Sequence, residues 1–372
     1  MIPVTKPFFP PIKDYEDFLK KIWAEKWITN NGIFVRRFED EIKKYLKLKN
    51  FVYVSNGTTA LQMAIKSLRL FGDIITTPFS FVATASSIAW EGCRPILVDI
   101  DPETFNLDPS KIEATITSKT TAILATHVFG NPCNVEAIEK IAKQHKLKVI
   151  YDAAHCFGTQ YKGESILNYG DISIISFHAT KLFHTGEGGG LVTAAPQTNK
   201  ILQLMRNFGI NETNGHYDEL GINGKNSELH AALGLANLKW INEILKRRQE
   251  QWKAYDLHIN HPTLQKIKIT PETDYNYSYY PLLFESESQL LECVKHFQDN
   301  HIFPRRYFYP PLTQLPYMDK FHTPIAEDVS HRILCLPIYH DLEFHEILAI
   351  AQHLKEDRRK LTLAFGKYKV QK

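Results

Sequence analysis

Apolar residues recur at helical spacing in DYEDFLKKIWAEKW (14–27) and FVRRFEDEIKKYLKL (34–48), with the breaker ITNNGI (28–33) between them. This period predicts two amphipathic helices. The preceding residues 1–14 are proline-rich and read as an extended arm. From residue 51 short apolar runs take over. FVYVS, DIITTP, RPILVDI, TTAILATHV, KVIYDA, DISIISF and GLVTAA read as strands. Helical patterns lie among them in NGTTALQMAIKSL, FVATASSIAWEG and NVEAIEKIAKQHK. Strands that are apolar throughout are expected where both faces of a sheet are buried. Their alternation with helices from 51 to about 195 predicts an α/β architecture, a mostly parallel sheet covered by helices.

Residues 227–259 read as one long helix with an acidic start and a basic later part, an order that suits the helix dipole. It leads toward a smaller C-terminal unit built from IKITPE, YSYYPLLFE and the helices SQLLECVKHFQDN and FHEILAIAQHLKE. The expected division is a large domain with its arm over 1–245 and a small α+β domain over 246–372. The sequence shows no internal repeat and no low-complexity segment.

Composition narrows the class. The 372 residues are 44% hydrophobic and 23% charged, as in an ordinary soluble globular protein, and the length fits two domains. A net charge of +3 is too small to imply a nucleic-acid or membrane partner. The five cysteines, Cys93, Cys133, Cys156, Cys293 and Cys335, are odd in number, widely spaced and without a CxxC pair. Neither a disulfide framework nor a metal site is expected, and a reducing compartment fits better. The N-terminus lacks a basic segment followed by an apolar run, and no stretch of about 18 apolar residues occurs. The expectation is a cytoplasmic protein.

Three stretches carry candidate chemistry. In KVIYDAAHCFG the strand ends at Asp152, which puts a carboxylate at the edge where open α/β sheets bind ligands. Alone, it is equally a cap of the following turn. In SNGTTALQMAI a strand runs through Ser55, Asn56, Gly57, Thr58 and Thr59 into a helix. Free N–H groups at a helix start, with a glycine to admit an anion, form a phosphate site. The same residues also read as plain N-caps. GxxxxGK[ST] is absent, so this is not a nucleotide P-loop. Lys181 follows DISIISF and precedes TGEGGG. A partly desolvated lysine loses its proton more readily and attacks carbonyls. GEGGG also reads as a hairpin turn into GLVTAA. Taken together, a phosphate cradle, a strand-end carboxylate and a lysine meet the needs of pyridoxal 5'-phosphate (PLP). PLP requires an anion site, an amine for its Schiff base, and a carboxylate that keeps the pyridine nitrogen protonated.

The chain resembles the DegT/DnrJ/EryC1/StrS family of sugar aminotransferases, PLP enzymes of the aspartate aminotransferase-like fold type I. The resemblance runs from near the N-terminus to the last helix. It rests on RRFEDE, SNGTTAL, TTPFSFVATA, VDIDPETFNLDP, THVFGNP, DAAHCFGT, SFHATK with FHTGEGG, RNFG, SELHAALGLANL and RRYFYP. It implies that Lys181 forms the Schiff base and shuttles the proton, and that Asp152 pairs with the pyridine nitrogen. It places His155 beside the phenolic oxygen and Phe81 on the ring face. Gly57, Thr58 and Ser176 are implied at the phosphate. Asn223 is similar to an asparagine that reaches the phosphate from the neighbouring subunit, which implies a homodimer with shared sites. His178 and His184 flank Lys181 and face either the sugar or only the loop. Tyr307 and Tyr309 are expected at the sugar or base, and Arg305 or Arg306 at the diphosphate. RR followed by aromatics is equally a packed strand with a solvated start.

The implied reaction moves an amino group from L-glutamate to a keto group of a nucleotide-linked sugar, in the making of deoxyamino sugars for O-antigen, lipopolysaccharide or other surface glycans. Relatives with histidine at the lysine position are dehydratases, and lysine here implies transamination. HATK with TGEGG resembles members that aminate C4, such as those making dTDP-4-amino-4,6-dideoxyglucose from dTDP-4-keto-6-deoxyglucose. The alternative is a 3-keto sugar-nucleotide aminotransferase or a related PLP sugar enzyme. One departure stands out. Asn226 of KNSE occupies a position where many such relatives carry methionine.

Overall fold

The computed structural model describes residues 1–354. The last two residues of the expected FHEILAIAQHLKE helix, and the end of the expected C-terminal domain, lie outside the described residues. The chain opens with β1 (Ile2–Pro3), α1 (Ile12–Glu25) and α2 (Ile33–Leu46). The alternation follows as β2 (Phe51–Val54), α3 (Gly57–Ser67), β3 (Asp73–Thr76), α4 (Val82–Trp90), β4 (Arg94–Leu97), β5 (Thr120–Thr126), α5 (Val135–His145) and β6 (Lys148–Asp152). A small hairpin of β7 (Gln160–Tyr161) and β8 (Glu164–Ser165) precedes β9 (Ile172–Ser176), β10 (Gly189–Val192) and α6 (Pro196–Arg206). Two helices, α7 (Glu228–Leu238) and α8 (Ile241–His258), lead into β11 (Gln265–Lys266), β12 (Thr273–Asp274), β13 (Tyr280–Leu283), α9 (Glu287–Asp299), β14 (Ile302–Phe303), α10 (Pro324–Arg332), β15 (Ile333–Leu336) and a helix over 344–354.

The central sheet has seven strands in the order β2-β10-β9-β6-β5-β3-β4. β4, β3, β5, β6 and β9 run parallel, and β10 runs antiparallel to both of its neighbours. Strand β2 is buried at every position, as its unbroken apolar character requires. In α2, Phe34, Phe38, Ile42 and Leu46 form one buried stripe at a spacing of four. The carboxylate of Glu228, at the start of α7, accepts the Phe34 and Val35 N–H groups at 2.7 and 3.0 Å. It satisfies two donors that the glycine at the α2 N-cap, Gly32, has no side chain to meet. A Cβ on Gly32 would lie 2.6 Å from that carboxyl group, so glycine is what lets the two helices approach.

One expectation is corrected. The helix expected over 227–259 is two helices with a break at Lys239 and Trp240. Asp14 of α1 holds the break, accepting from Lys239 Nζ at 2.8 Å and Trp240 Nε1 at 3.0 Å. The N-terminal arm touches both parts of the chain, its Phe8 carbonyl bonded to His184 at 2.8 Å and its first residues paired with the C-terminal part. β1 lies parallel to β14, and the Ile338 N–H donates to the Val4 carbonyl at 3.1 Å.

The C-terminal part shares its core with the sheet domain. Trp252, Tyr280, Phe297 and Leu334 pack in one cluster with Phe79, Phe105 and Phe129. Phe308 of RRYFYP meets Phe79 and Phe129, with ring centroids 5.5 and 5.9 Å apart. This seam carries Arg305 and Tyr307 to the carboxyl edge of the sheet.

Candidate active site

A cavity of about 720 Å³ opens at that edge, within the range of ligand sites for drug-sized molecules. Its walls are the ends of three strands. β2 leads into Ser55, Asn56 and Gly57, β6 ends in Asp152, and β9 ends in Ser176. The first turn of α3 lies over one side. Asn56 caps that helix, its Oδ1 accepting the Thr59 N–H at 2.8 Å. The N–H groups of Gly57 and Thr58 precede the intrahelical ladder, at the positive end of the helix, where anions bind.

The glycine run after Lys181 is now explained. β9 and β10 form an antiparallel pair, and residues 177–188 connect them. The hairpin reading holds, and Lys181 rides on this connection at the cavity wall. Gly189 passes under the phosphate loop so closely that a Cβ there would lie 2.4 Å from the Asn56 carbonyl carbon. Asn226 secures the same region. Its Nδ2 donates to the Tyr53 hydroxyl and to the Glu187 carbonyl, each at 2.9 Å. That gives the departure from methionine a structural role, since a thioether has no N–H to offer.

Asp152 is buried. Its Oδ2 accepts from Thr84 Oγ1 at 2.7 Å and its Oδ1 from the Ala154 N–H at 3.2 Å. Burial pushes its carboxyl above the usual range, against the pull of the Thr84 hydroxyl, the Ala154 N–H and the Lys181 charge. Burial likewise pushes Lys181 down to about 8. Asp152 opposes that shift and the Arg305 charge adds to it. His155 lines the cavity and is held well below its ordinary value, first by burial and then by the Lys181 charge. Its buried Nδ1 has no hydrogen-bond partner among the described residues. Phe81 stands at the cavity wall with 53% of its surface exposed, although its neighbour Phe79 is fully buried.

The structure brings Lys181, Asp152, His155, Gly57, Thr58, Phe81 and Ser176 to this one cavity, and with them His178, Arg305 and Tyr307. It leaves others outside. His184 is 2% exposed and turned away, with Nε2 on the Phe8 carbonyl at 2.8 Å and Nδ1 accepting the Gly186 N–H at 3.2 Å. It props the arm against the loop and does not face a substrate. Tyr309 does not line the cavity either; its ring is exposed and packs against the Arg306 guanidinium, 3.6 Å from the ring centroid. Arg306 itself pairs with Glu287 at 2.6 Å. Asn223 is exposed on its own chain and is not part of that chain's cavity wall. Ser80, Thr84 and Thr126, which reasoning from the sequence did not single out, cluster beside Asp152.

These residues fit PLP. The helix start at Gly57 and Thr58 offers the N–H groups a phosphate needs, and Ser176 lies against Gly57. A buried carboxylate whose charge burial disfavours gains from the cationic pyridinium. The buried His155 Nδ1 has no partner among the described residues and leaves a polar atom for a bound group to meet. A lysine pushed down to about 8 carries a far larger neutral fraction near neutral pH than an ordinary lysine, though the charged form still dominates. Only that neutral form bonds an aldehyde. The rate at which apoprotein takes up PLP, followed by visible absorbance, should therefore rise with pH through about 8 and level off above it. A rate independent of pH between 7 and 9 would count against the depressed lysine.

Comparison with known proteins gives the same reading. The model of the DegT/DnrJ/EryC1/StrS aminotransferase family matches residues 12–355. A dTDP-4-amino-4,6-dideoxy-D-glucose transaminase of Escherichia coli is 38% identical, covering 95% of this chain and 98% of that protein. A GDP-perosamine synthase of Escherichia coli O157:H7 is 32% identical over the same shares, 95% and 98%. The crystal structure of DesI in the presence of its TDP-sugar product superposes with a TM-score of 0.91 at 28% identity, covering 98% of this chain and 95% of that one.

Proposed function

The chain belongs to the DegT/DnrJ/EryC1/StrS aminotransferase family, and from that membership we propose that it carries an amino group from L-glutamate to the 4-keto group of dTDP-4-keto-6-deoxyglucose. The reaction class is that of a PLP-dependent sugar aminotransferase. The observation that carries the choice of sugar is the 38% identity to a dTDP-4-amino-4,6-dideoxy-D-glucose transaminase, above the 32% to a GDP-perosamine synthase.

Bound PLP supplies the electron sink that accepts the pair freed when a substrate C–H bond breaks. The chain does the rest. The N–H groups at the start of α3, with Ser176, would hold the phosphate. Asp152 would keep the proton on the pyridine nitrogen, Phe81 would cover a face of the ring, and His155 would stand by the phenolic oxygen. The Lys181 amine would remove the proton from the glutamate α-carbon. In the second half it would deliver a proton to sugar C4. Arg305 and Tyr307 line the cavity, and there they would meet the incoming sugar nucleotide. Incubation with glutamate and dTDP-4-keto-6-deoxyglucose should give a product whose NMR spectrum shows nitrogen on C4. Nitrogen on C3, or turnover only with a GDP-linked sugar, would overturn the substrate assignment.

A homodimer follows if Asn223 serves the neighbouring site, and its exposure on its own chain supports that placement. Lys181→Ala and Asn223→Ala subunits, each weakly active or inactive alone, should regain activity when mixed. In a heterodimer both lesions fall in one site and leave the other intact. Absence of recovery in a verified heterodimer would refute shared sites. The reaction is placed in the cytoplasm. In support, the five buried cysteines form no disulfide, and no described helix is long and apolar enough to cross a membrane.

A further inference from the structure

Beside Asp152 runs a row of hydroxyls, of which Ser80 and Thr126 also line the cavity while Thr84 does not. Thr84 Oγ1 donates to Asp152 Oδ2 at 2.7 Å. Ser80 Oγ stands 2.7 Å from Thr84 Oγ1 and 3.0 Å from Thr126 Oγ1. All three residues are buried. They come from different elements: Ser80 from the loop before α4, Thr84 from α4 and Thr126 from the end of β5.

The polarity of the row follows from counting protons. A hydroxyl carries one. Thr84 gives its proton to the carboxylate, so in its contact with Ser80 it accepts. Ser80 then accepts from Thr126 in turn. Every proton in the row points toward Asp152. Hydrogen bonds chained this way polarise one another, and a charged acceptor strengthens the last one. The Thr84 bond at 2.7 Å is also shorter than the Ala154 bond at 3.2 Å on the other carboxylate oxygen.

We propose that Thr84, backed by Ser80 and Thr126, is a positioning residue that keeps the Asp152 carboxylate ionised and fixed in place as the partner of the cofactor's pyridine nitrogen. The inference rests on the reading of the cavity as a PLP site. Thr84 acts on the cofactor only through Asp152. Its loss weakens cofactor retention and slows chemistry, and leaves glutamate binding intact.

The test uses apoprotein of wild type, Thr84→Val, Thr84→Ser and Ser80→Ala, each titrated with PLP by fluorescence quenching and then assayed for kcat and glutamate KM. Thr84→Val keeps the shape and removes the hydroxyl. It should raise the PLP dissociation constant about tenfold and lower kcat to a similar degree, the size expected for a lost hydrogen bond to a charged group, with glutamate KM unchanged. Thr84→Ser restores the hydroxyl and should lie within about twofold of wild type. Ser80→Ala leaves the Thr84 bond but removes its support, and should raise the dissociation constant about threefold, which keeps the test open if Thr84→Val folds poorly. The proposal is overturned if Thr84→Val retains PLP like wild type. It is equally overturned if Thr84→Ser loses as much as Thr84→Val, which would make the methyl group the cause, or if Ser80→Ala retains PLP like wild type. A wild-type protein that takes up no PLP would overturn the reading of the cavity itself, and this inference with it.

Discussion

Lys181→Ala removes the visible absorbance of lysine-bound PLP and lowers amino transfer by about 10³-fold or more, while the protein keeps its fold. The size follows from what the residue does. Positioned proton transfer alone contributes about 10²–10⁴-fold, and here the same amine also bonds the cofactor. The fold is spared because burial already disfavours the Lys181 charge, and alanine removes that cost. Lys181→Arg serves as the control. A guanidinium keeps the charge but stays protonated, so it neither bonds an aldehyde nor accepts a proton. Arginine should be as inactive as alanine. Substantial activity in either variant would sink the assignment of Lys181.

Asp152→Asn has the second largest effect and acts in opposite directions on function and stability. Asparagine removes the counter-charge of the pyridinium, and amino transfer should fall on the order of 10²-fold, as when a preorganised polar partner is removed from other active sites. The apoprotein should melt at the same temperature as wild type or higher. The sign follows from the raised Asp152 carboxyl. A group that folding makes harder to ionise weakens the folded state at pH values above its unfolded pKa, so near neutrality the neutral amide relieves a cost. Such a trade is common where a site is built for a ligand and not for the empty fold. Measured melting curves of the two apoproteins decide this, and an Asn variant that melts well below wild type would contradict it.

The parts of this site that are local in sequence are the parts that the sequence displays. The four-residue stripe of α2, the unbroken apolar strands, the glycine at the start of α3, the strand-end Asp152 and the lysine before a glycine run each need only a short window. Features set by distant partners do not show. The break at Lys239 and Trp240 is held by Asp14, 225 residues from Lys239, while the local apolar pattern continues across it. The hydroxyl row draws on Ser80, Thr84 and Thr126, and threonine and serine are too common to mark themselves. Their one local signal is Thr84, one helical turn after Ser80. His184 shows the converse error. Its place three residues after Lys181 says nothing about which way its side chain turns, and the Phe8 carbonyl takes it away from the cavity. Tyr309 also lies outside the cavity, packed against the neighbouring Arg306.

The central claim is that Lys181 is the residue that bonds PLP in this cavity. Borohydride reduction of the holoprotein, followed by peptide mass spectrometry, tests it directly. The account predicts the phosphopyridoxyl mass on Lys181 and on no other lysine, with the mark lost when glutamate is added before the reductant. A mark on a different lysine, or none in protein saturated with PLP, would contradict it.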